Sequence, residues 1–571
     1  MGAFEAMRAL IIDGYTDEPA GLGVPPYIDV YPRYIAGAIW SFNPHAEIIY
    51  MTIDAVRRDL NKLKQISSKC EISILIAGVT VPGKYLGGNP AGLKDVMKLP
   101  IYLKSKHTIF CGPAARFGFA KGGGSIAHIP KELNSIYDFV IEGDSEVVIY
   151  ELLKNNFYGV DLNLIRDSSD SINEYAIRGA KIIQQHPYYP DGLICEIETF
   201  RGCPRSITGG CSFCIEPLYG IPDFRSIDGI VKEIEALSFF GAKNFRLGRQ
   251  PDILIYGSED YCPSPSIMEK LFSSIRAVAS NLKVLHIDNV NPSTIYAHPE
   301  ESEKVLKIIV KYHTPGDVAA LGIESVDEEV IKRNNLKIDP EGAMFAIELI
   351  NKIGSERGEN GLPHLLPGVN FVYGLAGETE KTFERNFEFM REVLNRGLMV
   401  RRINLRQVMI LPYTRMRSIG SYLVKKHRRL FLEHKNKMRR EIDLPMMKRI
   451  LPEYTVMKDV RTEAIEGNIT WARQIGSYPI LVGIPRRITL GIFLDVLVLT
   501  HGPRSVSAIP IPININLLTM RELKAIPGIG SKRAASIIKN RPFHGIEDIK
   551  ACLDDPSIVE KLIPFLEFNK I

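Results

Sequence analysis

The stretch Glu198-Thr-Phe-Arg-Gly-Cys-Pro-Arg-Ser-Ile-Thr-Gly-Gly-Cys-Ser-Phe-Cys-Ile-Glu216 sets three cysteines, Cys203, Cys211 and Cys214, on a glycine-rich loop. Close spacing of thiolates on such a loop is how a chain wraps a metal or an iron–sulfur cluster. The count of three separates the two. Structural zinc takes four nitrogen or sulfur ligands, whereas a cluster held by three thiolates leaves one iron open to another molecule. Two rival readings stay open: a zinc site completed by Cys195 or Cys262, and a disulfide with a spare thiol. No histidine lies between Cys195 and His286, so a mixed zinc site would need a distant partner. Eight cysteines in 571 residues is sparse for a disulfide scaffold.

Phe213 directly precedes the last cysteine, and Arg201-Gly202 precedes the first. With those neighbours the segment resembles the cluster loop of the radical S-adenosylmethionine (radical SAM) superfamily. The resemblance implies a [4Fe–4S] cluster on Cys203, Cys211 and Cys214 whose open iron binds S-adenosyl-L-methionine and cleaves it to a 5′-deoxyadenosyl radical. It also implies an electron donor as a partner. The family's usual spacing is C-x3-C-x2-C; here it is C-x7-C-x2-C, a departure in the first gap.

Working outward, 571 residues exceed one core, so about two to four domains are expected. With 71 basic against 66 acidic residues the net charge is only +5, and any polyanion site must be a local patch. The N-terminal Met-Gly-Ala-Phe-Glu-Ala has no basic region followed by an apolar run. The most apolar window, Ile480 to Thr500, is broken by Pro485, Arg486, Arg487 and Asp495, so it is no membrane span. The expectation is a cytoplasmic protein with no membrane partner.

Residues 1–160 alternate short apolar runs (Ala9 to Ile12, Ile72 to Ala77) with amphipathic segments (Asp54 to Leu63, Glu146 to Leu153), a doubly wound, Rossmann-like α/β pattern. Its closing phrase, Tyr137 to Glu146, resembles the end of the cobalamin-binding-type domain that precedes many radical SAM cores. An Asp-x-His-x-x-Gly motif is missing, so the match is to the fold more than to cobalamin, which stays a candidate cofactor.

Over 190–420 strand and helix patterns repeat six times, predicting a partial (β/α)6 barrel with its chemistry at the carboxyl ends of the strands. Gly248-Arg-Gln-Pro-Asp252 with Tyr256-Gly257 resembles the second-strand motif of the radical SAM methylthiotransferases that modify tRNA. Leu321-Gly-Ile-Glu-Ser325 ends a strand in a carboxylate and a hydroxyl. Tyr373-Gly-Leu-Ala-Gly-Glu-Thr379 resembles the family's fifth-strand glycine motif. Together these imply cofactor-binding roles for Phe213, Gly248, Gln250, Glu324, Ser325, Gly374 and Gly377. A second, N-terminal cluster of the methylthiotransferase kind is not indicated, because Cys70, Cys111 and Cys195 share no motif.

Residues 421–460 read as a basic helical connector, with eight Lys/Arg against one Glu between Lys425 and Arg440. That run is either a solvated helix face or a phosphate-contacting surface. Residues 461–513, rich in Ile, Val and Thr, suggest a small β-domain whose placement resembles the TRAM barrel. The last segment, 514–571, opens with Asn514 to Ile538, which closely resembles a helix-hairpin-helix. Its turn Pro527-Gly-Ile-Gly530 would aim backbone N–H groups outward, so Gly528, Gly530, Lys532 and Arg533 are candidate nucleic-acid contacts. The reading is an α/β radical SAM enzyme that modifies a nucleic acid, with tRNA foremost. The rivals are radical chemistry on a small molecule or lipid, and a metal-stabilised non-catalytic nucleic-acid-binding protein.

Overall fold

A computed structural model describes residues 7–18, 21–79, 86–120 and 123–568; the N-terminal residues 1–6 lie outside them. The first sheet holds five parallel strands in the order Glu47–Thr52, Arg8–Asp13, Ile72–Ile76, His107–Cys111, Phe139–Val140. All five residues of Ile72–Ile76 are buried, which is why the strand reads as an unbroken apolar run instead of alternating. The amphipathic stretch 54–63 is not one helix. It divides into Ile53–Arg58 and Leu60–Ser67 because Asp59 turns out of the first and its side chain caps the second at Lys62 N.

Six parallel strands build the partial barrel: Ile194–Glu198, Asn244–Gly248, Val284–Ile287, Asp317–Glu324, Leu365–Tyr373 and Arg402–Gln407. The third continues past Asp288 into Asn289–Val290, which pairs with the fourth and joins two four-stranded sheets. Tyr27–Ile28 from the N-terminal domain pairs with the first strand, while among the described residues the sixth pairs only with the fifth and Ile126 bridges to Ile410 just beyond it. The barrel is therefore open along Arg402–Gln407.

Helices Tyr422–Lys426, Arg428–Met438 and Leu444–Ile450 lead to a closed five-stranded barrel running from Val456 to Pro510. Its loop at 475–480 inserts into the larger barrel. Ser477 N donates to His286 Nδ1 at 2.8 Å, the Tyr478 hydroxyl reaches Asp288 at 3.1 Å, and the Arg402 guanidinium lies 4.5 Å from the Tyr478 ring centre. The terminal helices Met520–Ala525, Ser531–Lys539 and Ile546–Ala551 share one apolar core with the small barrel, including Leu499, Ile509, Leu523 and Ile537. Among the described residues no helix is long and apolar enough to cross a membrane.

Candidate active site

The cysteine loop leaves the first barrel strand at its carboxyl end. Gly202 has φ 91°, and a Cβ there would lie 2.3 Å from Ile221 O, so only glycine lets the chain turn into Cys203. The long first gap folds into a compact 3-10 turn, Pro204–Thr208, closed by Gly209 in the left-handed region. Asn335 Nδ2 donates to Thr208 O (3.2 Å) and Gly210 O (2.9 Å), and Arg415 Nη2 donates to Gly210 O (2.8 Å). The extra residues are thus folded to one side, and Cys211 is delivered beside Cys203 in spite of the departure in spacing. Phe213 and Cys214 join an apolar cluster with Cys211, Leu375, Val408 and Met416.

The other strand-end residues share this end of the barrel but differ in what they face. Glu324 closes the fourth strand at a β-bulge opposite Phe371, with φ 67° and 9% exposure. Burial pushes its carboxyl up to about 7 against the pull of Lys337 and Arg406. Ser325 is turned inward, its Oγ accepting from Asp327 N at 3.1 Å. Gln250 is fully buried with Oε1 unpartnered. A Cβ at Gly248 would lie 2.0 Å from Glu196 Oε1. The two glycines of the fifth-strand motif form no open cradle. A Cβ at Gly374 would lie 2.2 Å from Val424 Cγ2 and one at Gly377 would lie 3.0 Å from Arg333 Cδ, so both make room for neighbouring chain.

Two residues escaped the sequence reading. Asn334, fully buried, accepts from Ser212 Oγ (2.7 Å) and Ala376 N (3.2 Å), and donates to Val330 O and Ala376 O (2.8 Å each). It locks the cysteine loop to the Gly374–Gly377 turn. Lys337 lies within electrostatic reach of Cys203, Cys211, Cys214, Glu324 and Asp252. Gly322 leaves room for it, since a Cβ there would stand 2.7 Å from Glu324 Oε1 and 3.3 Å from Lys337 Nζ. Burial pushes all three thiols up, and Lys337 opposes the shift.

In a tetrahedral zinc site neighbouring thiolate sulfurs stand about 3.8 Å apart. Among the described residues Cys203, Cys211 and Cys214 do not form a set within 4.8 Å of one another, although Cys211 feels both others. Three soft donors held close but apart suit a polynuclear cluster better than a single ion. Toward the N-terminal domain, a cavity of about 60 Å³ is lined by Cys214, Glu198, Arg201, Arg249, Glu146 and Arg166.

The C-terminal turn is built differently from a fully free hairpin. Gly528 has φ 85°, while Gly530 has open space around its Cα and Lys532 is exposed. Arg533 is committed within the fold: it donates to Asp554 through Nε (2.5 Å) and Nη2 (2.9 Å), and to Gly528 O through Nη1 (2.7 Å).

A partial parallel barrel with three cysteines at its carboxyl rim defines a cluster-dependent radical enzyme. The comparisons agree. Residues 197–390 match the family model described as the Radical SAM superfamily. An uncharacterized protein of Methanocaldococcus jannaschii is 47% identical over 514 residues, spanning 88% of this chain and 92% of that protein. The ribosomal protein uS12 methylthiotransferase RimO of Caldanaerobacter subterraneus subsp. tengcongensis is 25% identical over 327 residues, 55% of this chain and 64% of that one. Among solved structures, the apo form of the cobalamin-dependent S-adenosylmethionine radical enzyme OxsB aligns with TM-score 0.46 and 13% identity, over 68% of this chain and 52% of OxsB. The chain belongs to the radical SAM superfamily and is an enzyme. Its cofactors are a [4Fe–4S] cluster and S-adenosyl-L-methionine.

Proposed function

We propose that this enzyme uses Cys203, Cys211 and Cys214 to hold the cluster, and modifies a nucleic acid, tRNA foremost. When bound, the cluster supplies the electron for reductive cleavage of S-adenosyl-L-methionine. The chain's own residues orient and enclose. Glu324, with Gln250 and Phe213 nearby on the rim, takes the polar end of S-adenosyl-L-methionine, and Lys337 holds a positive charge among the thiolates. Asn334 fixes the loop against the fifth strand.

The observation that carries the substrate class is a cationic rim along the barrel's open edge. Around Arg504 of the small barrel gather Arg402 and Arg406 of the sixth strand, Lys435 and Arg439 of the connector, and one carboxylate, Asp443. Arg439 is the one that pairs with it. Burial, then the field of Arg439 and Arg402, pulls Arg504 down to about 10. Arg406 is exposed yet close enough to act on Glu324, so the rim leads from solvent to the proposed site. Such a concentration of like charge suits a phosphodiester backbone. The RimO resemblance supports modification of a translation component, and the exposed Gly530 and Lys532 supply a second backbone contact.

For cobalamin, the further cofactor implied by the N-terminal resemblance, the place would be the interdomain junction. The Glu146–Arg166–Glu198 ion cluster lines the cavity there, so a corrinoid would have to be accommodated beside it. Titration with hydroxocobalamin, followed by absorption, checks this.

The substrate reading is tested by tRNA retention across a salt titration. Arg504→Ala with Lys435→Ala should reduce affinity and flatten the slope of log K against log salt by up to about two units, with unchanged deoxyadenosine formation in the absence of tRNA. Unchanged affinity and slope would move the small-molecule reading ahead.

A further inference from the structure

A second cluster of metal-binding side chains lies outside the barrel rim. Cys262 Sγ, a ring nitrogen of His298 and a carboxylate oxygen of Glu301 all lie within 4.8 Å of one another. They come from two segments. Cys262 ends the loop that follows the second barrel strand, just before helix Pro265–Val278. His298 and Glu301 occupy the corner between helices Pro292–Ala297 and Pro299–Tyr312.

Local structure fixes the convergence. His298 is at once the C-cap of one helix and the N-cap of the next, with Pro299 immediately after it. Glu301 stands three residues on, where a glutamate commonly reaches back to its own cap. Here no side-chain cap bond forms, and the carboxylate faces Cys262. Asp260 Oδ1 accepts from Ser258 Oγ (2.6 Å) and from Cys262 N (3.0 Å), which sets the thiol's direction. Among the described residues, neither the His298 ring nor the Glu301 carboxylate has a hydrogen-bond or ion-pair partner, and the nearest polar contact of Cys262 Sγ is Pro263 O at 4.0 Å. Thus three donors of three kinds converge and satisfy nothing in the protein. All three are partly accessible, so an ion can enter and keep a water. Asp260 adds a further negative charge close to His298.

We propose that Cys262, His298 and Glu301 bind one zinc ion, with water in the fourth position. A thiolate, an imidazole and a carboxylate form a borderline donor set that suits zinc, and three protein ligands plus water is the open coordination zinc keeps outside closed four-ligand sites. Sulfur and nitrogen ligands of a tetrahedral zinc stand about 3.5 Å apart, so the observed set closes by small side-chain rotations. The ion is a staple. The same two segments are already tied one layer further in by Asp252, which accepts from Thr294 Oγ1 (2.6 Å) and Asn291 N (3.0 Å). Zinc would fasten their outer edge and so hold the loop that carries Gly248 and Gln250 at the barrel rim.

The test uses the full chain with its iron–sulfur cluster assembled, dialysed against a chelator and then titrated with zinc against a chromophoric competitor. One zinc per chain is expected beyond the cluster iron. Zinc K-edge absorption, blind to iron, should show one sulfur at about 2.3 Å and nitrogen or oxygen ligands at about 2.0–2.2 Å. Changes beyond the ligand sphere alone cost 10–100-fold in affinity, so Cys262→Ser and His298→Gln should each weaken zinc by more than roughly a hundredfold with iron content unchanged. Failure of the wild-type chain to retain zinc overturns the proposal. So does a shell of three sulfurs, which would place the ion on Cys203, Cys211 and Cys214, or an affinity in either variant equal to that of the wild-type chain. If either variant fails to fold, the wild-type absorption spectrum decides alone.

Discussion

Replacing Glu324 separates what the fold pays from what the site gains. Its left-handed backbone costs a non-glycine residue about 1–2 kcal/mol, and such strain concentrates at functional positions. Its carboxyl, at about 4.5 in a free chain, is raised by burial to about 7. Because the folded state holds this proton more tightly, the fold loses stability as pH rises from 4.5 through 7. Above that window an ionised Glu324 costs about 3 kcal/mol. At pH 8, Glu324→Gly should therefore stabilise the protein by up to about 4 kcal/mol, since it relieves both penalties. Glu324→Gln keeps the strained backbone and should gain less. Both changes should weaken S-adenosyl-L-methionine by roughly ten- to a hundredfold, the worth of a charge-assisted hydrogen bond. Anaerobic denaturant titrations at pH 5 and pH 8 read the stability, and calorimetric binding reads the affinity. A Glu324→Gly protein that is no more stable at pH 8 than wild type, or that binds the cofactor equally well, would refute the reasoning.

Gly202→Ala should cut bound iron after anaerobic reconstitution, because the added Cβ meets Ile221 O at 2.3 Å and displaces Cys203; full iron occupancy would contradict this. Asn334→Ala strands the backbone groups of Ala376 and should cost about 2–4 kcal/mol, seen as a lowered unfolding midpoint together with weaker cofactor binding. Burial lowers His186 to about 3, so the unfolded chain takes up a proton that the folded one refuses. Stability should fall by about 1.4 kcal/mol per pH unit between 6.5 and 3 from this residue, and His186→Gln should flatten acid-unfolding curves by that amount.

The fold class was legible because its strands are short runs of Val, Ile and Leu closed by Gly or Pro. Val284–Ile287 is buried at every position, and the helix after the cysteine loop, Ile227–Phe239, buries one apolar face. The break at Asp59 was not legible, since an amphipathic pattern gives no warning when a capping side chain interrupts it. Cysteine spacing announced the loop, but Lys337 and Asn334 had no comparable signal. Each lies more than a hundred residues from Cys214, and only the barrel's closure brings them together. Strand-end glycines carried the opposite hazard. At Gly374 the demand comes from Val424, a residue of the connector, and the motif alone could not show it.

The insertion of the 475–480 loop into the larger barrel bears on how this chain is made. The Tyr27 hydroxyl donates to Gly476 O at 3.0 Å, a contact separated by 449 positions. A ribosome adding about 5–20 residues per second takes roughly 20–90 s to supply that partner. Asp288 waits for its partner over 190 positions and His286 over 191, roughly 10–40 s at that rate, facing water. The radical-forming half cannot be completed before the 475–480 loop has been made. Proteolysis of chains stalled short of that loop should begin at this unplugged wall.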